Sequence, residues 1–120
     1  MKKLFFIFLI PLLLFSNSKN NLGTWSAGPS GGFILKERGI FLGEGIFDKV
    51  SGTYTTKGNK IILKVLKGYE SIKRKTITLK KYSFDPKKNK DILDANEKEM
   101  EIWKNSTSYL KDEDGVKYFN

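Results

Sequence analysis

The sequence predicts an all-β fold: a small antiparallel up-and-down barrel, or a strongly curved sheet, of about seven to eight strands after an N-terminal signal peptide. Short β-branched and aromatic segments recur between residues 33 and 119. Turn-forming clusters of Gly, Pro, Asn and Asp separate these segments, and hardly any stretch has the periodicity of a helix. The 120 residues of the chain fit a single domain.

Residues 1–18 have the composition of a Sec-type signal peptide. Two lysines precede an apolar run, 4–15, that only Pro11 interrupts. This run is shorter than the roughly 20 apolar residues that cross a bilayer. The small residues of 16–18 suit a peptidase, so we expect cleavage after them. The product would be a single domain, residues 19–120, that is exported to the periplasm or the cell exterior and does not span the membrane.

The first predicted strands lie around a glycine-rich loop and a glycine-rich bend. Residues 27–32 form a loop by composition, with three Gly and one Pro. Residues 33–38 then alternate as in a half-buried strand. Short apolar segments at 40–42 and 46–47 flank Gly-Glu-Gly at 43–45, which indicates a bend or bulge.

The clearest strand signal is a hairpin over residues 51–67. The β-prone residues 53–56 and the β-branched run that begins at Ile61 are separated by a tight turn centred on Gly58 and Asn59. Such a pair suits a two-residue hairpin loop that needs positive φ. Because side chains alternate along a strand, the inward face of the second arm is expected to carry Ile61, Leu63 and Val65.

Residues 72–84 form the longest strand candidate. Ile77 and Leu79 share one face, whereas Tyr82 and Phe84 lie on the other. The inward row therefore changes phase between Leu79 and Tyr82. We expect a bulge or a break at this point.

The C-terminal third contains the one segment that does not look like a strand. Residues 85–96 open with Asp-Pro, carry a lysine run and have room for one helical turn. Residues 99–103 alternate again and are expected to form a strand. Residues 109–110 and 116–119 are expected to form a last hairpin around 111–115.

Composition excludes several classes of chemistry. The chain carries 22 Lys and Arg against 13 Asp and Glu, a formal net charge of +9, and has no His and no Cys. Their absence excludes a Ser-His-Asp triad, a thiol nucleophile, a zinc site of the usual kind, a disulfide and lipid attachment to Cys. We therefore expect no catalytic residue, no metal or cofactor site, no enzymatic activity and no lipid anchor.

Lysine dominates the basic residues. Arg38 and Arg74 are the only arginines among the 22. A surface that reads phosphates or bases would be expected to use more Arg, because its guanidinium binds bidentately. Residues 73–75 and 80–82 could bind single-stranded nucleic acid, but lysines that protect a strand edge from pairing explain them better. We expect no specific nucleic-acid partner.

Two pairs of carboxylates are candidates for acid–base or calcium chemistry: Glu99 with Glu101, and Asp112 with Asp114. A glycosidase would need two carboxylates that face each other across about 5 to 10 Å. An EF-hand loop would need an oxygen ligand where Leu110 stands. Solubilising charges and an Asp-Gly hairpin turn account for the two pairs more simply.

Gly23-Thr24-Trp25 resembles the Gly-x-Trp that opens the first strand of lipocalins and the wider calycin group. Ser51-Gly52-Thr53-Tyr54 before the hairpin is also similar to a strand of small bacterial lipocalin-like proteins. The resemblance implies that Trp25 packs at the closed end of a barrel. In lipocalins a late Arg stacks on this Trp, but the last Arg here is Arg74, so that contact is absent or made by a Lys. Residues 19–120 also make a smaller barrel than a typical lipocalin.

We expect a monomeric, non-enzymatic binding protein that carries a small apolar ligand in the barrel. The expected inward residues are Phe33, Leu35, Tyr54, Ile61, Leu63, Val65, Ile77, Leu79, Ile102 and Trp103. Seven of these are the expected ligand contacts: Phe33, Tyr54, Leu63, Val65, Ile77, Ile102 and Trp103. The same side chains would be the core of a filled barrel. The alternative is an exported protein with a filled core whose basic outer face binds an anionic protein or envelope partner, or one that inhibits a secreted hydrolase.

Overall fold

Eight strands form one closed antiparallel barrel in the computed structural model, which describes residues 21–120. The strands are β1 Gly23–Ser26, β2 Gly32–Lys36, β3 Ile40–Glu44, β4 Ser51–Lys57, β5 Lys60–Lys67, β6 Thr76–Ser83, β7 Ser108–Lys111 and β8 Lys117–Phe119. Each strand pairs with the next along the chain, and β1 pairs with β8 through Ser26 and Phe119. The predicted all-β up-and-down barrel is confirmed. The predicted signal peptide, residues 1–18, lies outside the described residues.

The connections divide between the two ends of the barrel. We call the end that holds Asn21 the lower end; it also carries the turns 37–39 and 58–59 and the long connection 84–107. The upper end carries the loops 27–31, 45–50, 68–75 and 112–116. At the lower end, the predicted hairpin turn is confirmed: Lys57 pairs with Lys60, and Gly58 has a φ of +62°.

Helical structure is confined to the connections. Two short α-helices are present among residues 21–120, α1 Tyr69–Ile72 and α2 Ala95–Glu99. Neither they nor any other helix of these residues is long and apolar enough to cross a membrane. Single 3-10 turns lie at Gly28–Ser30, Glu37–Gly39, Gly45–Phe47, Lys90–Ile92 and Glu101–Asn105.

The strand predicted for residues 99–103 is wrong. Asp94 and Glu97 form a reciprocal capping box, in which the Glu97 N–H donates to Asp94 at 2.7 Å and the Asp94 N–H donates to Glu97 at 2.9 Å. This cap starts α2 at Ala95. The 3-10 turn Glu101–Asn105 follows α2 directly. The alternation of apolar and polar residues at 99–103 therefore does not indicate a strand.

Inward side chains of the strands fill the barrel. The predicted inward faces of β2, β5 and β6 are confirmed, because Phe33, Leu63 and Leu79 are each at most 1% exposed. The buried interior also contains Trp25, Leu35, Phe41, Val50, Tyr54, Ile61, Val65, Ile77, Leu110 and Tyr118. Burial of this apolar surface is the main driving force for closing so short a chain into a barrel.

A second buried cluster lies on the outside of the barrel, between the strands and the connection 84–107. It contains Phe84, Leu93, Trp103, Tyr109 and Phe119, with Tyr82 packed against it; we call it the outer cluster. The rings of Tyr82 and Tyr109 stack with centroids 5.1 Å apart, and those of Phe84 and Phe119 lie 5.4 Å apart.

The outer cluster explains why the predicted break in β6 is wrong. The register of β6 continues from Ile77 through Lys80 to Ser83 without a shift. The inward row ends at Leu79, and the apolar row that begins at Tyr82 faces the outer cluster instead. The change of phase therefore marks the last part of β6, where Tyr82 packs outward against the outer cluster. The register shift lies in β4, between Ser51 and Gly52.

Candidate functional site

The lower end of the barrel is closed around Trp25, which is 2% exposed. Its indole Nε1 donates a hydrogen bond to the backbone carbonyl of Asn21 at 2.9 Å. The Lys81 ammonium lies 5.9 Å from the centre of the Trp25 ring and donates to the Asn21 side chain at 2.9 Å. A lysine thus makes the cation–π contact at this Trp.

The upper end is a shallow mouth with a cavity of about 270 Å³. Its floor is aromatic: the Phe33 ring lies 5.0 Å from that of Phe47 and 5.3 Å from that of Tyr118. Ile72 and Ile77 complete the apolar lining. Its charged lining residues are Arg74, Asp112 and Asp114. The mouth therefore combines an apolar floor with a charged rim.

Asp112 organises the turn that forms one side of the mouth. One carboxylate oxygen accepts hydrogen bonds from the backbone N–H groups of Asp114 and Val116, both at 2.9 Å. The other accepts from the Tyr118 hydroxyl at 2.8 Å. An Asp that bonds the backbone two residues on is an Asx-type turn. These contacts agree with the hairpin-turn interpretation of this segment.

Arg74 closes a gap in the wall near the mouth. Strand β7 pairs with β6 only from Lys80 to Ser83, so the first half of β6 has no ladder on that side. Glu113 accepts a hydrogen bond from the exposed Thr78 N–H at 2.9 Å. Arg74 donates to both carboxylate oxygens of Asp114 at 2.9 Å. The hydrogen bond to Asp114, followed by its negative charge, raises the pKa of Arg74.

Tyr118 gives the mouth a pH-dependent contribution to stability. Burial, and then the hydrogen bond to Asp112, raise the pKa of Tyr118 above its usual 10.0. Above pH 10 the unfolded chain therefore loses this proton first, so the free energy of unfolding falls by up to about 1.4 kcal/mol per pH unit for this group. We expect Tyr118→Phe to make the alkaline fall of stability in urea-unfolding titrations measurably shallower.

The parent protein provides the reference for this titration. Tyr54 and Tyr109 also have a pKa raised by burial, so part of the slope remains in the Tyr118→Phe protein. An alkaline slope in Tyr118→Phe equal to that of the parent protein would contradict the prediction.

The structure separates the predicted ligand contacts into three groups. Phe33 and Ile77 line the mouth, and Tyr54, Leu63 and Val65 belong to the barrel core. The predicted inward position of the remaining two is wrong. Ile102 is 37% exposed, and Trp103 is buried in the outer cluster. The physical reason is the capped helix before them, which turns this segment across the outside of the barrel.

Sequence reasoning missed most of the mouth. Phe47, Ile72, Arg74 and Tyr118 come from three separate segments that converge only in the closed barrel. For Asp112, the sequence pattern indicates only a position in a turn. The sequence carries one signal for Tyr118: this residue follows the polar Lys117 in a strand of the predicted last hairpin.

A wider groove of about 760 Å³ lies outside the barrel, between α2, the loop 27–31 and the turn after Asp114. Its least exposed charged residues already satisfy each other, since the Lys117 ammonium lies 3.3 Å from the Glu97 carboxylate. No ring of the aromatic clusters lines it. The mouth is therefore the better candidate for binding an apolar molecule.

The geometry of the barrel is the basis for inferring a function. No family model, curated protein or solved structure matches the chain. The closed eight-stranded antiparallel barrel is compatible with a lipocalin-like barrel.

Proposed function

We propose that this chain is an exported, non-enzymatic binding protein with a lipocalin-like barrel, and that it holds a small, largely apolar ligand at the upper mouth. The observation that carries the proposal is the aromatic floor of Phe33, Phe47 and Tyr118, which is open above while Trp25 closes the lower end. Binding sites for small molecules are typically concave and apolar, with a few polar groups that orient the ligand.

The dimensions of the mouth limit the size of the ligand. A cavity of about 270 Å³ is just below the usual range of roughly 300–1,000 Å³ for small-molecule sites. Below the floor, the interior is occupied by buried side chains such as Leu63 and Leu79. One ring system or one short acyl group fits this space better than a long fatty acid, which would need a deep channel.

The charged residues at the rim of the mouth restrict the charge that the ligand's head group can carry. Arg74 contributes one positive charge, against the two negative charges of Asp112 and Asp114. Arg74 is already bound to both oxygens of Asp114. A ligand carboxylate would have to compete with Asp114 for this guanidinium, so an uncharged or cationic head group is favoured.

Further observations support the non-enzymatic and exported character. Tyr118 is held in its neutral form, because burial raises its pKa, and the Asp112 carboxylate is occupied by three hydrogen bonds. Neither group is poised as a general base. The contact of Lys81 with Trp25 supports the lipocalin-like assignment. The basic-then-apolar composition of residues 1–18 supports export.

Titration with the uncharged fluorescent probe N-phenyl-naphthylamine tests the proposal. We expect a saturable rise in fluorescence with a Kd of about 1–10 μM. Ile77→Trp should fill the floor and weaken binding at least about tenfold, a loss of about 1.4 kcal/mol. The matched control is Ile102→Trp, which makes the same change on an exposed side chain and should leave the Kd unaltered.

A second variant keeps the test decisive if Ile77→Trp folds poorly. Phe47 is only half-buried, so Phe47→Ala removes one wall of the mouth with less risk to the core. It should also weaken probe binding. The absence of saturable binding by the parent protein, or equal affinity in the Phe47→Ala and Ile102→Trp proteins, would overturn the proposal.

A further inference from the structure

The strand register aligns five lysines in one row across the outside of the barrel. Lys57 pairs with Lys60, Lys60 with Lys80, Lys80 with Lys111, and Lys111 with Lys117. Directly paired residues of antiparallel strands point to the same face of the sheet. The row therefore runs across β4, β5, β6, β7 and β8, one lysine from each strand. We call it the lysine row.

The row lies on the outer face of the barrel, because its neighbours along the chain point inward. Ile61, Leu79, Leu110 and Tyr118 each adjoin a row lysine and are at most 1% exposed in the barrel core. Paired Cα atoms in antiparallel strands lie about 4.5–5.5 Å apart. The five lysines thus span roughly 20 Å of curved surface.

Charge is segregated between the strands and their connections. Strands β4 to β8 contain eight lysines and no Asp or Glu. Twelve of the 13 carboxylates lie in loops, turns and helices, and the remaining one, Glu44, ends β3. The surface around the row is therefore more positive than the net charge of the whole chain indicates.

Two structural explanations do not account for the row. Like charges placed directly opposite each other destabilise a sheet, so the register does not favour lysine here. Lysine protects open strand edges from pairing, but the barrel is closed. Within residues 21–120 the ion pairs engage only the last member of the row, Lys117, which lies 3.3 Å from Glu97. Glu113, which accepts a hydrogen bond from the Thr78 N–H, forms its ion pair with Arg74 at 3.8 Å and not with a lysine of the row.

We propose that the lysine row binds an acidic polysaccharide. A flexible linear polyanion can follow a curved row, whereas a flat membrane would touch only part of it. The spacing of the lysines, one strand apart, is comparable to the length of a sugar unit, so one carboxylate or sulfate per sugar can meet one ammonium. Lysine suits this role, because its ammonium is a point charge on a flexible side chain, whereas the guanidinium of Arg is planar and binds in a fixed bidentate geometry. The inference is independent of the ligand proposed for the mouth.

The aromatic residues near the row argue against nucleic acid as the partner. Proteins that bind single strands combine positive charge with aromatic rings on which bases stack. Tyr82 and Tyr109 are next to the row, but their rings stack on each other, and Tyr109 is 8% exposed. Phe119 is 1% exposed. These rings pack in or against the outer cluster, and the Lys80 ammonium lies 5.5 Å from the centre of the Tyr82 ring.

Binding of polygalacturonate to the full chain tests this proposal. The row variant combines Lys60→Gln, Lys80→Gln and Lys111→Gln. The matched control makes the same charge change at exposed lysines outside the row, Lys49, Lys87 and Lys88. At low salt we expect the row variant to bind at least about tenfold more weakly and the control less than threefold, since the row concentrates charge along one line. The salt dependence should also become shallower in the row variant.

Further measurements separate the partner classes and the two proposals. Arginine at the three row positions should retain most of the binding, because the positive charge is kept. The affinity for N-phenyl-naphthylamine, the probe of the upper mouth, should be unchanged in the row variant. Equal losses in the two triple variants, no binding by the parent protein, or tighter binding to a single-stranded oligonucleotide or to phosphatidylglycerol vesicles would overturn the assignment.

Discussion

Trp25→Ala is expected to lower the free energy of unfolding by about 3–5 kcal/mol. Trp25 is 2% exposed and is the largest of the fully buried side chains. Its removal leaves a cavity at the lower end and eliminates the hydrogen bond from Nε1 to the Asn21 carbonyl. The Lys81 ammonium also loses the ring over which it lies. Since single domains are typically stable by about 5–15 kcal/mol, a large fraction of the stability would be lost.

Urea unfolding followed by circular dichroism measures this effect without relying on the deleted fluorophore. Trp25→Phe is the informative control, since it keeps an aromatic ring in the core but removes the Nε1 donor. It should cost clearly less than Trp25→Ala. A loss below about 1 kcal/mol for Trp25→Ala would be typical of a surface position and would contradict the closure of the lower end by this residue.

Trp103→Ala is expected to lower the free energy of unfolding by about 3 kcal/mol while leaving naphthylamine affinity unchanged. Trp103 is 6% exposed, packs in the outer cluster and donates from Nε1 to the Lys98 carbonyl at 3.1 Å. It holds the connection 84–107 against β6, β7 and β8. Because it lies outside the barrel, its loss does not alter the mouth.

The adjacent Ile102 provides the matched control for Trp103. Ile102→Ala removes an exposed apolar side chain and should change stability by no more than about 0.5 kcal/mol. The combination of readouts distinguishes the two possible locations of Trp103. Weakened probe binding without loss of stability would place this side chain in the ligand site and would contradict the outer cluster.

Local signals predicted much of the barrel. Alternation of apolar and polar residues placed Phe33, Leu63 and Leu79 inside, because the side-chain period of a strand is two. The hairpin turn was predictable at Gly58, because positive φ suits glycine. The candidate site was less predictable: of its lining, Phe33 and Ile77 came from the pattern.

The helix in the C-terminal connection is a case in which a local sequence pattern did not predict the structure. Alternation at 99–103 suggested a strand, but the capping box of Asp94 and Glu97 starts a helix just before it. The box has the usual spacing of an N-cap residue and a Glu three positions later. The residues that follow α2 pack against the outside of the barrel through Trp103, which is buried in the outer cluster, and this contact is not local in sequence.

The sequence by itself determined an all-β chain with short strands, a tight hairpin at Gly58 and apolar inward rows, since these depend on strand periodicity and turn geometry within a few residues. Only the tertiary structure decided the closure of β1 on β8, the outward burial of Tyr82 and the pairing of Arg74 with Asp114, 40 residues away. It also decided the alignment of the lysine row. These features depend on the register between distant strands, and register is set by how the whole set of inward side chains packs together.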